Sequence, residues 1–149
     1  MRNYKDIVEA QIKFKERQEQ FLNLNCEFFL LLFDKMIKET ALPKGTLLTY
    51  KSRLDIHTNI AEDWFSLDDK SNYIMKINLN FNNTSHIVDF KMKKIGNTLN
   101  LGVFVNSYTE TFSFEIMDNV KLESLNLDYE KVINFIFDSI KKTYDIWFN

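Results

Sequence analysis

The chain has 149 residues, a formal net charge of -2 and 27% charged residues of both signs, which excludes a polycation that coats nucleic acid and an acidic mimic of DNA. Its 45% hydrophobic content is too high for a disordered chain, and its size lets it bury a continuous core without metal or disulfide staples. With Phe at 14 positions, that core is expected to be rich in aromatic rings.

With only Gly 3 and Pro 1, no flexible linker is visible, so a single domain over residues 1–149 is expected. Cys26 is the sole cysteine, which rules out an intrachain disulfide and a zinc site built on several cysteines. A reducing, cytoplasmic setting follows as an expectation, because the charged start Met1-Arg2-Asn3-Tyr4-Lys5-Asp6 does not read as an export signal. The most apolar run, Cys26 to Phe33, is interrupted by Glu27 and falls short of the roughly 20 residues that cross a bilayer, so no membrane contact is expected.

From Tyr4 to about Thr40 the pattern is helical. Ile7, Phe14, Phe21 and Phe28 lie seven apart, with Ala10, Leu24 and Leu31 between them. The polar stretch Lys15 to Gln20 predicts a solvent-exposed or bent turn, whereas Phe28 to Ile37 is apolar nearly all round and predicts a central core helix. Pro43 and Gly45 are expected to stop it.

The period then changes to two. Leu48, Tyr50, Leu54 and Ile56 alternate with Thr49, Lys51, Arg53 and Asp55, which predicts a first strand. Tyr73 to Phe81, Val88 to Met92, Leu99 to Val105 and Phe112 to Ile116 repeat the alternation, separated by turn signals at Asn82-Asn83, Ile95-Gly96-Asn97 and Asn106-Ser107-Tyr108. Short connections make neighbours antiparallel, giving a meander of about five strands. Asn126 or Asp128 is expected to cap a last helix with an apolar stripe of Tyr129, Val132, Ile133, Ile136, Phe137, Ile140, Tyr144 and Trp147. The predicted class is α+β: a long N-terminal helix, the meander and a C-terminal helix, both helices on one sheet face.

No Gly-rich phosphate loop, Gly-x-Ser-x-Gly elbow, His-Glu-x-x-His or Cys-x-x-Cys motif occurs, so the chain is expected not to be an enzyme and to need neither cofactor nor metal. His57 and His86 would serve acid/base or metal chemistry only if strand ends brought them beside Asp55 or Asp89; ordinary strand-end histidines are the plainer reading. Cys26 opens an apolar run and reads as a buried, inert thiol.

Two surfaces stand out. Glu62, Asp63, Trp64, Phe65, Asp68 and Asp69 place two large aromatics among carboxylates where periodicity is weakest; the plain reading tucks the rings into the sheet edge, and the functional reading is a loop that recognises a basic protein surface. The second is the uncovered sheet face, on which Lys51, Arg53, Lys76, Lys91 and Lys93 are expected beside Asn78, Asn80, Asn100 and Thr111, a surface for nucleic acid or another anion. Against it, open antiparallel faces are polar in any case. The narrow stripe on the first half of the N-terminal helix fits a homodimer seam, unless the C-terminal helix covers it. Together these features predict a non-enzymatic protein-binding module of the adaptor, inhibitor or antidote type, with nucleic-acid or anionic-ligand binding as the alternative.

Overall fold

The computed structural model describes residues 3–56 and 60–145; His57 and Trp147 lie outside them. Helix α1 runs from Tyr4 to Thr40, 37 residues. Asn3 starts it, its side-chain oxygen accepting the Asp6 N–H, and Asp6 and Lys38 complement the partial charges at the two ends. The helix stops at Ala41, which takes a left-handed φ of 51° and donates its N–H to Ile37. Pro43, two residues further on, could not have continued it. The polar stretch Lys15 to Gln20 does not break the helix; apart from half-buried Gln18, it is exposed.

Strands β1 (Leu47–Thr49), β2 (Ser66–Leu67), β3 (Tyr73–Phe81), β4 (Thr84–Ile95), β5 (Thr98–Val105) and β6 (Tyr108–Glu115) form one antiparallel sheet in the order β1-β3-β4-β5-β6, with β2 also on β3. Two-residue turns join β3 through β6, and each puts a positive φ on its first residue: Asn82 at 50°, Gly96 at 57° and Asn106 at 55°. Only glycine and asparagine enter that region cheaply, which is why these residue types sit there. Helix α2 (Glu130–Asp145) packs on β5 and β6. It opens at Glu130, and Asn126 lies upstream in a left-handed turn of φ 50°.

Alternate residues of each long strand point at the helices. Met75, Ile77 and Leu79, then Val88, Phe90 and Met92, then Leu99, Leu101 and Val103 are buried in one cluster with Phe28, Phe29, Leu32, Phe33 and Met36 of α1 and Val132, Ile133 and Ile136 of α2. Phe28 lies at its centre, with ring centroids 5.1 Å from Phe114, 5.3 Å from Phe29 and 5.3 Å from Tyr129. Residues 4–20 of α1 take no part: Ile7 is 62% and Phe14 54% exposed, so α2 does not cover this stripe.

The first strand differs from its expectation. The run Leu48 to Ile56 is not one strand but a tight reversal, in which Thr49 N–H donates to Leu54 O and Ile56 N–H to Leu47 O. Arg53 takes a left-handed φ of 52°, and Leu54 points out, 64% exposed.

Phe28→Ala should lower unfolding free energy by about 3–5 kcal/mol, because the ring touches three aromatic neighbours and leaves a cavity. The hydroxyl of Tyr129 is buried with no hydrogen-bond partner among the described residues. Tyr129→Phe should therefore be neutral, or stabilise by up to about 1 kcal/mol. Urea titrations of both variants check the pair.

Candidate functional site

Strand β3 is longer than what covers its outer edge. Leu47–Thr49 pairs with Ile77–Leu79, and Ser66–Leu67 pairs with Tyr73–Ile74, so β1 and β2 lie end to end along β3 and leave Met75 and Lys76 between them. Local hydrogen bonds end both flanking strands. On one side Thr49 Oγ1 accepts the Leu54 N–H and lies 2.9 Å from Ser52 Oγ, which closes the turn that carries Tyr50 and Lys51. On the other, the helical turn Glu62–Trp64, with Phe65 N–H donating to Glu62 O, precedes β2 at the gap. At the far end of β2 the Asp68 carboxylate accepts N–H groups of Lys70 and Asn72 and the Asn72 side-chain amide, winding residues 68–72 into the turn to β3.

The gap exposes backbone. Asn80 N–H donates to Thr46 O on this edge, and in a strand every second residue points its N–H and C=O the same way. Lys76 therefore turns its N–H and C=O outward into the gap, with no strand opposite it among the described residues. The gap opens into a pocket of about 400 Å³ with Tyr50 and Trp64 as walls, Ile56, Met75 and Ile77 beneath, and Lys51, Asp63 and Lys76 at the rim. The Lys76 ammonium lies 5.3 Å from the Tyr50 ring centroid and 3.7 Å from Asp89 Oδ1.

This pocket joins residues from both surfaces singled out in the sequence: Asp63, Trp64 and Phe65 with Lys51 and Lys76. Phe65 lines it from the core margin, its ring 5.7 Å from Phe29 and 6.0 Å from Tyr73. The remaining members go elsewhere. Glu62 and Asp69 are exposed without lining the pocket. Asp68 is committed to its own turn and to Lys91, 3.2 Å away. The Asn72 amide groups foremost, and then the Lys70 N–H and Lys91, hold its carboxyl well below the usual carboxylate range.

The expected lysine-bearing face is also corrected. Lys51 and Arg53 sit in the turn after β1, not on a strand. Asn78 is buried because its amide donates to Thr49 O and Tyr50 O, which places the β1 turn over it. On the open face Lys76 pairs with Asp89 and Lys91 with Asp68, while Phe104 lies across Gly102, where an added Cβ would meet its ring at 3.3 Å. Tyr50 was missed as a pocket wall, because Tyr50-Lys51-Ser52-Arg53 holds only Ser52 of the usual turn residues and so gives no turn signal.

Two of the side chains with reactive groups, Cys26 and His86, lie among the described residues. Cys26 is half-buried, and burial, then the Glu62 charge, pushes its thiol up, away from the thiolate. His86 is buried beneath the Tyr144 hydroxyl, 2.6 Å from Nε2. Among the described residues no three His, Cys, Asp or Glu side chains converge as metal ligands, and no helix is long and apolar enough to cross a membrane. Compared with protein-family models, curated proteins and solved structures, the chain matches none of them.

Burial lowers the His86 pKa below its ordinary value of about 6.5. The unfolded chain then binds the proton more readily, so stability should fall as pH drops through about 6.5 toward the lower folded value. Urea midpoints at about pH 5, 6 and 7 should show this slope in the wild type and a shallower one in His86→Gln.

Proposed function

We propose that the chain is a non-enzymatic protein-binding module, acting in the cytoplasm as an adaptor, inhibitor or antidote to another protein, and that the interrupted edge of β3 receives the partner. The observation that carries this reading is the outward-turned N–H and C=O of Lys76 between β1 and β2, beside a pocket walled by Tyr50 and Trp64. An extended segment of a partner offers one C=O and one N–H to Lys76 and sets one side chain between the two rings. Backbone pairing supplies affinity in this mode and the pocket supplies selectivity. Trp and Tyr in a partly desolvated pocket with a charged rim are the usual composition of an interface centre.

The first half of α1 supports a second contact, with another copy of the chain. Lys5, Lys13, Lys15 and Arg17 balance Asp6, Glu9, Glu16 and Glu19 along residues 4–20. An antiparallel pair that sets Ile7 opposite Phe14 also sets Lys5 opposite Glu16 and Asp6 opposite Lys15, and two-fold symmetry repeats each match. Nucleic-acid binding on the open sheet face has less support, because Lys76 and Lys91 already hold carboxylates.

A photo-crosslinking residue in place of Lys51 should capture one defined protein in the native cell. Tyr50→Ala with Trp64→Ala should weaken that capture by about 2 kcal/mol or more, roughly 30-fold, while the folded fraction at the assay temperature is unchanged. Undiminished capture by a folded double variant would reject the pocket. For the helix contact, sedimentation at about 100 μM should give a dimer for the wild type and a monomer for Ile7→Glu with Phe14→Glu, a range where a weak interface of this size is populated. A monomeric wild type removes it.

A further inference from the structure

A second cleft, of about 880 Å³, opens where α1 passes beyond the sheet. Its lining comes from four places: the middle of α1, the turn Lys70–Asn72, the end of β4 and the segment Ile116–Val120. The volume falls inside the range of about 300–1,000 Å³ typical of small-molecule sites. It is separate from the Tyr50–Trp64 pocket, with no lining residue in common.

Its chemistry is two-sided. Phe21, Leu24 and Ile116 give apolar surface, extended by Met117 and Val120, which are 61% and 37% exposed. Around them stand Arg17, Lys70, Lys93 and Lys94 against the single carboxylate of Asp118. None of these four cations is ion-paired among the described residues, a condition they share with Lys13, Lys44 and Lys51 elsewhere; what sets the cleft apart is that four of them line it with one carboxylate. On a chain of net charge -2, unpaired cations gathered at one concave site make a local positive potential that the whole-chain charge conceals. A bare inorganic anion would leave the apolar surface unused, and a neutral apolar molecule would leave the cations unused.

We propose that this cleft binds an anionic amphiphile, an alkyl chain bearing a phosphate or carboxylate head, with the chain over Phe21, Leu24 and Ile116 and the head among Arg17, Lys70, Lys93 and Lys94. The lipid headgroup of a bilayer and a free single-chain molecule share this chemistry, and the test separates them.

The full chain, labelled with nitrogen-15, would be titrated with dodecyl phosphate below its micelle concentration, with dodecylammonium and with inorganic phosphate. Amide shifts should move at Phe21, Leu24, Lys93 to Gly96 and Ile116 to Val120. Dodecyl phosphate should bind about tenfold or more tightly than either control. Lys93→Glu with Lys94→Glu should weaken it about tenfold or more at an unchanged melting temperature, since both side chains are exposed. Co-sedimentation with phosphatidylglycerol vesicles, lost in the same variant, assigns a bilayer source; binding of dodecyl phosphate without co-sedimentation assigns a free ligand. Equal affinity for dodecylammonium, shifts centred on the Tyr50–Trp64 pocket, or a double variant that binds as the wild type does would each overturn the proposal. An acidic helical peptide that binds at this cleft about tenfold more tightly than dodecyl phosphate would also overturn it, in favour of a protein occupant.

Discussion

The arrangement depends on the packing of one half of α1 against the inner face of the sheet. Phe28, Phe29, Leu32, Phe33 and Met36 are all buried there, and they bring β3, β4, β6 and α2 to a common cluster. At 37 residues α1 is about 55 Å long, while β3, with 9 residues, spans about 30 Å. The mismatch must leave helix without sheet beneath it. The core-facing stripe nevertheless continues past the end of the core as Ile7 and Phe14, and the cleft at Phe21 and Leu24 marks the place where support stops. One length difference therefore produces both an unpartnered apolar helix face and a concave site.

A second length difference acts at the sheet edge. Strand β3 offers nine residues, but β1 and β2 together cover only Tyr73–Ile74 and Ile77–Leu79. At the gap β1 is cut short by the Thr49 side chain, which takes the Leu54 N–H, and β2 starts only after the helical turn Glu62–Trp64, whose Glu62 O takes the Phe65 N–H. Side-chain to backbone bonds such as that of Thr49 compete with strand pairing. The β3 edge, which would otherwise invite indiscriminate strand addition, is thus reduced to the N–H and C=O of one residue, which limits what can pair there.

The elements were legible where burial imposes a period. Tyr73 to Phe81 and Leu99 to Val105 alternate because one face is covered along their whole length, and the second half of α1 and α2 keep apolar residues at three and four residue spacing because both lie on that face. The hairpin turns were legible because positive φ selects asparagine and glycine. The stretch Leu48 to Ile56 also alternates, yet there the pattern comes from a turn closed by Thr49, and nothing in period-two spacing distinguishes the two. At the site, Trp64 was visible as a large aromatic among acids. Its partner wall Tyr50 was not, because the two come to one pocket only once β1 and β2 pair along the same edge of β3.

Charges show the same limit in sharper form. Lys76 and Asp89 face each other across β3 and β4, so strand register alone predicts their pairing. Lys91 and Asp68 meet only after the turn at residues 68–72 has wound, and no spacing in the sequence announces that contact. Once these acids are assigned, Lys76 and Lys91 no longer distinguish the open face as a cationic surface, although a count of lysines alone would. The cations left unpaired around the cleft, Arg17, Lys70, Lys93 and Lys94, come from a helix, a turn and a strand end that are distant in sequence. A local charge of this kind arises from what the fold leaves uncompensated, which is why the near-neutral composition of the chain concealed it.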